Sequence, residues 1–236
     1  MQGDKELKVG GLVPLTTTDL PGHLSAVIFC QGCPWRCRYC HNVHLIDPKR
    51  EGAYSWCEVI SFLERRRSLL DSVVFSGGEP TMQKALPDAA FQVKVRGFKV
   101  GLHTAGQFPD TLQRVLPFVD WVGMDLKAPT GKYKEIIGRR AKENLIRKSI
   151  ELIVECSHLS YEFRTTFHSE LLSEGELLDI ARMLSLSGAK HFALQYFRKT
   201  GCDDIELLQY ESILPSQSSL AEIASLFDTF EIRGAV

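Results

Sequence analysis

Short apolar segments alternate with helical patterns along most of the 236-residue sequence, and this alternation limits the folds open to the chain. The segments that predict strands are 25–30, 72–76, 98–103, 121–125, 161–167 and 191–197, with a last one at 229–233. The helical patterns are 56–70 with Ser55 as N-cap, 82–96 interrupted near Pro87, 110–118, 141–156, 174–187 and 218–227. Strands that alternate with helices of this length predict βαβ units and a parallel sheet, either open or curled into a full or partial barrel.

Polar residues follow several of the predicted strands, at the point where each strand ends. A cysteine-rich loop follows the first strand, and Gly77-Gly78-Glu79-Pro80 follows the second. His103 and Thr104 end the next strand, and Asp125-Leu126-Lys127 ends the one after it. Because binding sites in parallel α/β sheets lie at the carboxyl ends of the strands, we expect these residues to share one rim.

Cysteine is concentrated in one short part of the chain. Of seven cysteines, four fall within eleven residues: Cys30, Cys33, Cys37 and Cys40. A secreted domain framed by disulfides would be shorter, with an even number of cysteines spread along the chain. The tight group therefore favours a metal or iron–sulfur site, whereas Cys57, Cys156 and Cys202 are expected to be ordinary buried thiols.

The last three cysteines of the group have the spacing C-x3-C-x2-C. Three thiolates this close can each bind one corner of a cubane cluster. Because a complete protein ligand set would be four cysteines, one iron remains open for chemistry. The alternative is a zinc site completed by Cys30, His41 or His44. Cys30 ends an apolar strand, which favours a thiol on the strand face over a fourth ligand.

Composition narrows the class of protein. The net charge of −1 gives no indication of binding to nucleic acid or to an anionic membrane surface. No segment approaches the roughly 20 apolar residues that span a bilayer. Residues 1–6 are polar and lead into no apolar region, so we expect no signal peptide and a cytoplasmic location.

Tyr39 before the last cysteine completes the pattern C-x3-C-x-φ-C. This pattern resembles the signature of the radical SAM superfamily, whose members bind S-adenosylmethionine (SAM) at the open iron of a [4Fe–4S] cluster. The resemblance implies that Cys33, Cys37 and Cys40 bind the one cluster of the chain. It also places Tyr39 near the adenine of SAM.

The second element of this family follows in the expected order. Gly77-Gly78-Glu79-Pro80 resembles the GGE element with which radical SAM enzymes hold the methionine amino group, and it makes all four residues candidates for SAM binding. Two glycines let a ligand approach the backbone closely. Taken alone, the same four residues also suit a simple turn before a helix.

Asp125-Leu126-Lys127 resembles the Asp-x-Lys element of the glycyl-radical-enzyme activases within this superfamily. Taken alone, the two side chains would suggest a surface ion pair worth about 0–1 kcal/mol. The resemblance instead matches Lys127 to the SAM carboxylate, with Asp125 organising it. Arg164 matches a strand arginine of the same group.

Residues 101–106 resemble the Asp-Thr-Asn-Gly stretch of the activases, with Thr104 as a SAM contact. His103 replaces the acid and Ala105 replaces the asparagine, so the chain departs from a cation site that requires an aspartate there. Gln195 and His168 are further candidates for the rim.

The resemblance extends over about residues 11–198 and includes Asp19-Leu20-Pro21-Gly22 and Cys40-His41-Asn42. Residues 161–166 and 194–197 look most like the activating proteins of anaerobic ribonucleoside-triphosphate reductase. The implied fold is α/β, a partial (β/α)6-type TIM barrel that consists of a parallel sheet with outer helices. One domain is expected over 1–236, with a core at about 23–200 and a C-terminal helix and strand at 217–233.

The implied activity is reductive cleavage of SAM, which yields a 5′-deoxyadenosyl radical that removes hydrogen from a glycine of a partner enzyme. The expected partners are anaerobic ribonucleotide reductase and a reductant such as flavodoxin or ferredoxin. The alternatives are an activase of the pyruvate formate-lyase type, a small-molecule enzyme like 7-carboxy-7-deazaguanine synthase, and a zinc-stabilised binding module without catalysis.

Overall fold

The computed structural model describes residues 6–234, so the polar segment 1–5 lies outside the described residues. Eight strands form one sheet in which every strand lies beside its neighbours in sequence. They are β1 (Val9–Thr16), β2 (Ser25–Cys30), β3 (Ser72–Gly77), β4 (Lys99–Thr104), β5 (Trp121–Asp125), β6 (Ser160–Phe167), β7 (His191–Tyr196) and β8 (Thr229–Arg233). β1 is antiparallel to β2, and all later pairs are parallel.

Helices connect the parallel strands. They are α1 (Trp56–Arg65), α2 (Leu86–Lys94), α3 (Pro109–Val115), α4 (Tyr133–Ile137), α5 (Glu143–Val154), α6 (Glu174–Leu186), α7 (Ile205–Gln209) and α8 (Gln217–Ser225). Seven parallel strands in sequence order, joined by helices and not closed on themselves, confirm the predicted α/β fold of the partial-barrel type. The prediction of a single domain stays a prediction.

Side chains alternate between the two faces of each strand, and the two faces differ in chemistry. Ile28, Phe75 and Leu102 belong to the large core that the sheet forms with the helices. Val27 and Val74 point to the other face and form a small apolar cluster with Leu20. Further along each strand this second face becomes polar, and there the candidate site begins.

Several element boundaries differ from those predicted. α1 ends at Arg65 rather than at residue 70. α2 begins at Leu86, so Pro87 occupies the first turn instead of interrupting a helix, and a proline is tolerated there because its missing N–H would have no partner. The pattern 110–118 ends in a separate 3-10 turn at Leu116–Phe118.

The sequence analysis did not include β1, α4 or α7. β1 contains Gly10, Gly11 and Pro14, residue types that are depleted in strands. Proline is tolerated on an edge strand, and β1 is at the edge of the sheet. α4 and α7 have five residues each, too few for a helical period to stand out. Within 6–234, no helix is both long enough and apolar enough to cross a membrane.

Candidate active site

A cavity of about 550 Å³ lies at the carboxyl ends of the parallel strands. It is lined by these predicted site residues: Cys33, Cys37, Tyr39, Cys40, Gly77, Gly78, Glu79, Thr104, Asp125, Lys127 and Arg164. Pro80 does not line it, because it opens a buried 3-10 turn behind Glu79. The parallel register thus brings together side chains that are far apart in sequence, as predicted for the shared rim.

Main-chain hydrogen bonds hold the cysteine loop from two sides. On one side, the N–H of Cys33 donates to the carbonyl of Ile46 at 3.0 Å. On the other side, the N–H groups of Arg36 and Arg38 donate to carbonyls at the end of α4, both at 2.9 Å. These bonds fix the loop backbone independently of any group that its thiols bind.

The three loop cysteines are partly buried, and all are free thiols. Burial raises the pKa of Cys33 to about 12 and that of Cys37 to about 11, and it also raises the pKa of Cys40. Thiolates are the form that binds iron, so loading the site releases protons. A [4Fe–4S] cluster would take one thiolate on each of three irons, and all three thiols line the same cavity.

Of the three residues that could complete the zinc alternative, Cys30 and His44 do not line the cavity, whereas His41 does. Cys30 is fully buried on the face of β2 that packs against the helices, and it does not line the cavity. The ring of His41 contacts the carbonyl of Arg198 at 2.9 Å, and His44 is exposed. In the part of the chain that the structure describes, no three His, Cys, Asp or Glu side chains are arranged to hold a single metal ion.

The two glycines after β3 let the turn press against the cysteine loop. Gly77 has φ of +113°, and a Cβ there would come within 2.5 Å of the backbone nitrogen of Cys30. A Cβ on Gly78 would overlap the carbonyl oxygen of Gly32. The N–H of Gly78 donates to the Cys30 carbonyl at 3.0 Å, and that of Glu79 to the Gly32 carbonyl at 2.8 Å. Glycine is therefore required here for packing as well as for access by a ligand.

Glu79 is a buried carboxylate that ties β3 to β4. Its Oε1 accepts hydrogen bonds from the hydroxyls of Thr81 at 2.5 Å and Thr104 at 2.7 Å. Its Oε2 accepts one from the N–H of Ala105 at 2.7 Å. Burial raises the pKa of Glu79, although these donors oppose the shift. Because a carboxylate oxygen can accept about two hydrogen bonds, Oε2 retains room for a donor such as an ammonium group.

Asp125 links the two cationic side chains of the cavity. Its Oδ1 accepts from Arg164 Nε at 2.9 Å and its Oδ2 from Lys127 Nζ at 3.2 Å. Burial alone would raise the pKa of Asp125, but these two charges outweigh it and lower the pKa to about 2. Lys127 Nζ also lies 5.3 Å from the centre of the Tyr39 ring, a cation–π contact. Asp125 and Lys127 are therefore a partly buried pair inside the cavity rather than a pair on the outer surface.

The ring of His103 is held by two hydrogen bonds. Its Nε2 donates to the carbonyl of Asp19 at 3.0 Å, which leaves Nδ1 to accept from the hydroxyl of Ser76 at 3.2 Å. Burial and the nearby Arg164 lower the pKa of His103 to about 4. The position where the activases have an acid therefore carries no negative charge in this chain.

The far side of the cavity contains residues that were not predicted as part of the site. Arg233 of β8 lines it and donates to both carboxylate oxygens of Glu162 in β6, at 2.6 and 2.7 Å. No motif marks either residue, and 71 positions separate them. Gln195 lines the cavity as expected, whereas His168 is buried outside it.

The three scattered cysteines differ from the expectation. They were predicted to be buried thiols, but Cys57 is exposed, and Cys156 and Cys202 are partly buried. Each lies in a helix or a connecting segment rather than in a strand of the core, which explains their exposure. None of the three lines the cavity.

The side chains that line the cavity suit an iron–sulfur cluster and an amino acid ligand beside it. Three thiols supply the iron ligands, Glu79 Oε2 has room for an ammonium group, and Lys127 supplies a positive charge for a carboxylate. The hydroxyl of Tyr39 is buried and has no hydrogen-bond partner within residues 6–234. The ring of Tyr39, rather than this hydroxyl, therefore lines the cavity. The residues present therefore fit both a [4Fe–4S] cluster and SAM.

Similarity to known proteins agrees with this site. The family described as the radical SAM superfamily matches residues 27–166. A protein of Methanocaldococcus jannaschii with the provisional name glycyl-radical enzyme activating enzyme is 32% identical over 226 residues, 92% of this chain and 90% of that protein. The pyruvate formate-lyase-activating enzyme of Clostridium pasteurianum is 30% identical over 138 residues, 56% of this chain and 58% of that protein.

Among solved structures, SuiB of Streptococcus suis bound to its precursor peptide SuiA superposes with a TM-score of 0.67 at 14% identity. The superposition covers 89% of this chain and 48% of that chain, and at this identity it shows the fold alone. The chain belongs to the radical SAM superfamily. It is a radical SAM enzyme, and its cofactors are a [4Fe–4S] cluster and SAM.

Proposed function

We propose that this enzyme installs a glycyl radical on a partner enzyme, and that the partner is anaerobic ribonucleoside-triphosphate reductase. The relative from Methanocaldococcus jannaschii, similar over nine-tenths of both chains, carries the proposal of a glycyl radical. The choice of reductase rests on the resemblance of residues 161–166 and 194–197. We propose in addition that the enzyme is cytoplasmic and that flavodoxin or ferredoxin reduces it.

In this proposal Cys33, Cys37 and Cys40 hold the cluster, which supplies the electron that cleaves SAM. Glu79 Oε2 and the backbone of the Gly77-Gly78 turn accept hydrogen bonds from the methionine amino group. Glu79 Oε2 accepts one hydrogen bond, and Gly77 and Gly78 line the cavity without side chains that would block a ligand. The cluster and the amino group are then held by one packed unit.

Lys127 binds the carboxylate of SAM in this proposal. Asp125 positions the lysine, and Arg164 in turn holds Asp125 from β6. The Tyr39 ring lies beside the Lys127 ammonium and lines the cavity, where it would contact the adenosine part of the ligand. Thr104 acts through Glu79, because its hydroxyl donates to that carboxylate.

The test is anaerobic incubation of the loaded enzyme with reductant, SAM and the reductase, followed by EPR spectroscopy. We expect a glycyl-radical doublet on the reductase and methionine with 5′-deoxyadenosine as products. A reductase variant with alanine at the radical glycine is the control and should give no doublet. Efficient SAM cleavage driven by a small molecule, with no radical on any protein partner, would overturn the proposal.

A second partner has an observation in its favour. The relative from Clostridium pasteurianum is named for activating pyruvate formate-lyase and matches 56% of this chain. Parallel incubations with pyruvate formate-lyase and with the reductase, at equal concentrations, distinguish the two. A doublet on pyruvate formate-lyase alone would replace the reductase as partner and leave the glycyl-radical activity intact.

A further inference from the structure

One side of the cavity has polar side chains that make no hydrogen bond or ion pair with any other side chain or backbone group of residues 6–234. We call these four residues, which all line the cavity, the polar patch: Thr166, Gln195, Tyr196 and Arg198. Elsewhere in the cavity, Glu79, Asp125 and Lys127 are each held by a neighbouring side chain. The polar patch is therefore the part of the cavity whose hydrogen-bonding groups are available to a ligand.

The strand register joins the polar patch into a row across three strands. Thr166 of β6 is opposite Gln195 of β7, and Gln195 is opposite Arg233 of β8. Neighbouring strands lie about 4.8 Å apart, so side chains in this row can contact one extended ligand together. Lys127, the proposed partner of the SAM carboxylate, follows β5 and is two strands away from Gln195. The row is thus available to a second molecule beside SAM.

Arg198 is held at its backbone while its guanidinium group is exposed. Nε2 of His41 in the cysteine loop donates to the Arg198 carbonyl at 2.9 Å. Phe197 stacks on the same His41 ring with the ring centres 6.3 Å apart, and its N–H donates to the Phe167 carbonyl at 3.0 Å. The base of the arginine side chain is therefore fixed between β7 and the cysteine loop.

The charge of Arg198 has no partner within residues 6–234. The other Lys and Arg side chains of the cavity each pair with a carboxylate: Lys127, Arg164 and Arg233. Among the acidic residues that line the cavity, Asp19 forms no ion pair in the described chain, but its carbonyl contacts His103 of β4, three strands from β7. A carboxylate for Arg198 must therefore come from a ligand.

We propose that the polar patch binds the peptide segment that carries the target glycine, and that Arg198 pairs with an acidic side chain close to that glycine. This inference rests on the proposed glycyl-radical function and specifies the substrate of that function. A peptide backbone presents N–H donors and carbonyl acceptors, and the amide and hydroxyl groups of the polar patch can bind both. Arginine can bind a carboxylate through two parallel hydrogen bonds, which makes the recognition selective for an acid.

The test removes the charge of Arg198 and uses the partner enzyme that gains the glycyl-radical doublet. Arg198→Gln should raise the KM for that partner about tenfold and leave kcat nearly unchanged, because hydrogen bonds to charged groups contribute to binding the substrate. Initial rates of doublet formation at a series of partner concentrations separate the two constants. The Kd of SAM should not change. A weaker binding of SAM would assign Arg198 to the SAM site and overturn the inference.

Lys199→Gln is the matched control. It removes the same charge at the next position, but Lys199 pairs with Glu211 and does not line the cavity. We expect its KM for the partner to be close to that of the wild type. An equal rise of KM in both variants would show a general charge effect and would contradict a specific role of Arg198.

Substitutions in the partner identify the acidic side chain. Each Asp or Glu within about five residues of the target glycine is changed to Asn or Gln, because an extended chain advances only about 3.3 Å per residue. One such change should raise the KM of the wild-type enzyme about tenfold and have no further effect on Arg198→Gln. If no acidic position couples to Arg198 in this way, the inference is wrong although the glycyl-radical activity stands. Absence of a doublet on any partner with the wild type would instead overturn the proposed function, and the inference with it.

Discussion

Main-chain hydrogen bonds build one wall of the cavity, whereas side-chain ion pairs build the other. The cluster wall consists of the cysteine loop and the Gly77–Glu79 turn, where N–H groups of the turn donate to carbonyls of the loop. The ion-pair wall consists of Asp125, Glu162, Arg164 and Arg233 from three strands. A main-chain contact depends on few side chains, but an ion pair fails when either partner changes. We therefore expect a substitution at a glycine of the cluster wall to lower the free energy of unfolding more than a substitution in the ion-pair wall.

The largest effect is expected when a cluster ligand is removed. Cys33→Ala should reduce iron far below about four per chain and abolish SAM cleavage, because a cluster held by two thiolates is lost. Iron analysis and chromatography of 5′-deoxyadenosine measure both. Cys30→Ala is the matched control, since Cys30 faces the helices, and it should retain both iron and cleavage. Loss of iron in the Cys30 variant would make Cys30 part of the site.

The next effect concerns SAM rather than iron. Lys127→Met should raise the Kd of SAM about tenfold or more, because hydrogen bonds between charged groups contribute about 1.5–3 kcal/mol. Calorimetric titration of the loaded enzyme measures it, and a thermal scan checks the fold. Lys148→Met is the control, because Lys148 is on the surface and pairs with Asp110. Unchanged SAM affinity in Lys127→Met would show that the lysine does not bind SAM.

A methyl group on the cluster wall should cost stability. Gly78→Ala should lower the free energy of unfolding by about 1–3 kcal/mol, because its Cβ meets the Gly32 carbonyl oxygen and a packed backbone yields little. Anaerobic denaturant titration measures this. At Gly11, also close to the loop in the sheet, the nearest atom to an added Cβ is 3.6 Å away, so Gly11→Ala should cost much less. Equal losses would contradict the close contact between turn and loop.

The smallest effect is expected on the ion-pair wall. Arg233→Gln breaks the pair with Glu162, but the arginine is 33% exposed, so we expect a loss of about 0.5–1 kcal/mol. A double-mutant cycle with Glu162→Gln isolates the coupling energy. SAM cleavage should remain close to the wild-type rate. A coupling energy above about 2 kcal/mol would contradict the expectation that the ion-pair wall contributes less to stability than the cluster wall.

The sequence was informative about the cluster wall for a physical reason. Three thiols within eight residues have to lie near one another, and two glycines after a strand have to permit a close approach. The ends of parallel strands meet at one rim, so Lys127 and Arg164 could be placed there as well. Local spacing and the strand order together therefore predicted the residues that line this part of the cavity.

Other features required the folded chain. Glu162 and Arg233 lie 71 positions apart, and no local pattern indicates that they meet. β1 was not predicted because its glycines and proline are residue types that are depleted in strands, although an edge strand tolerates them. The hydrogen bonds that Glu79 Oε1 accepts from Thr81 and Thr104 depend on the contact between two segments, the turn after β3 and the end of β4. Such contacts follow from register and packing, which the sequence does not state.

The sequence by itself determined the alternating fold, the cysteine spacing and the positions of the chemically active strand ends, because these depend on periodicity and on neighbours along the chain. Only the tertiary structure decided that Cys30 faces the helices and that burial and the nearby Arg164 lower the pKa of His103. Each of these depends on which face a side chain occupies and on which distant group lies opposite. Burial and electrostatic interaction are set by those neighbours in space rather than by neighbours in sequence.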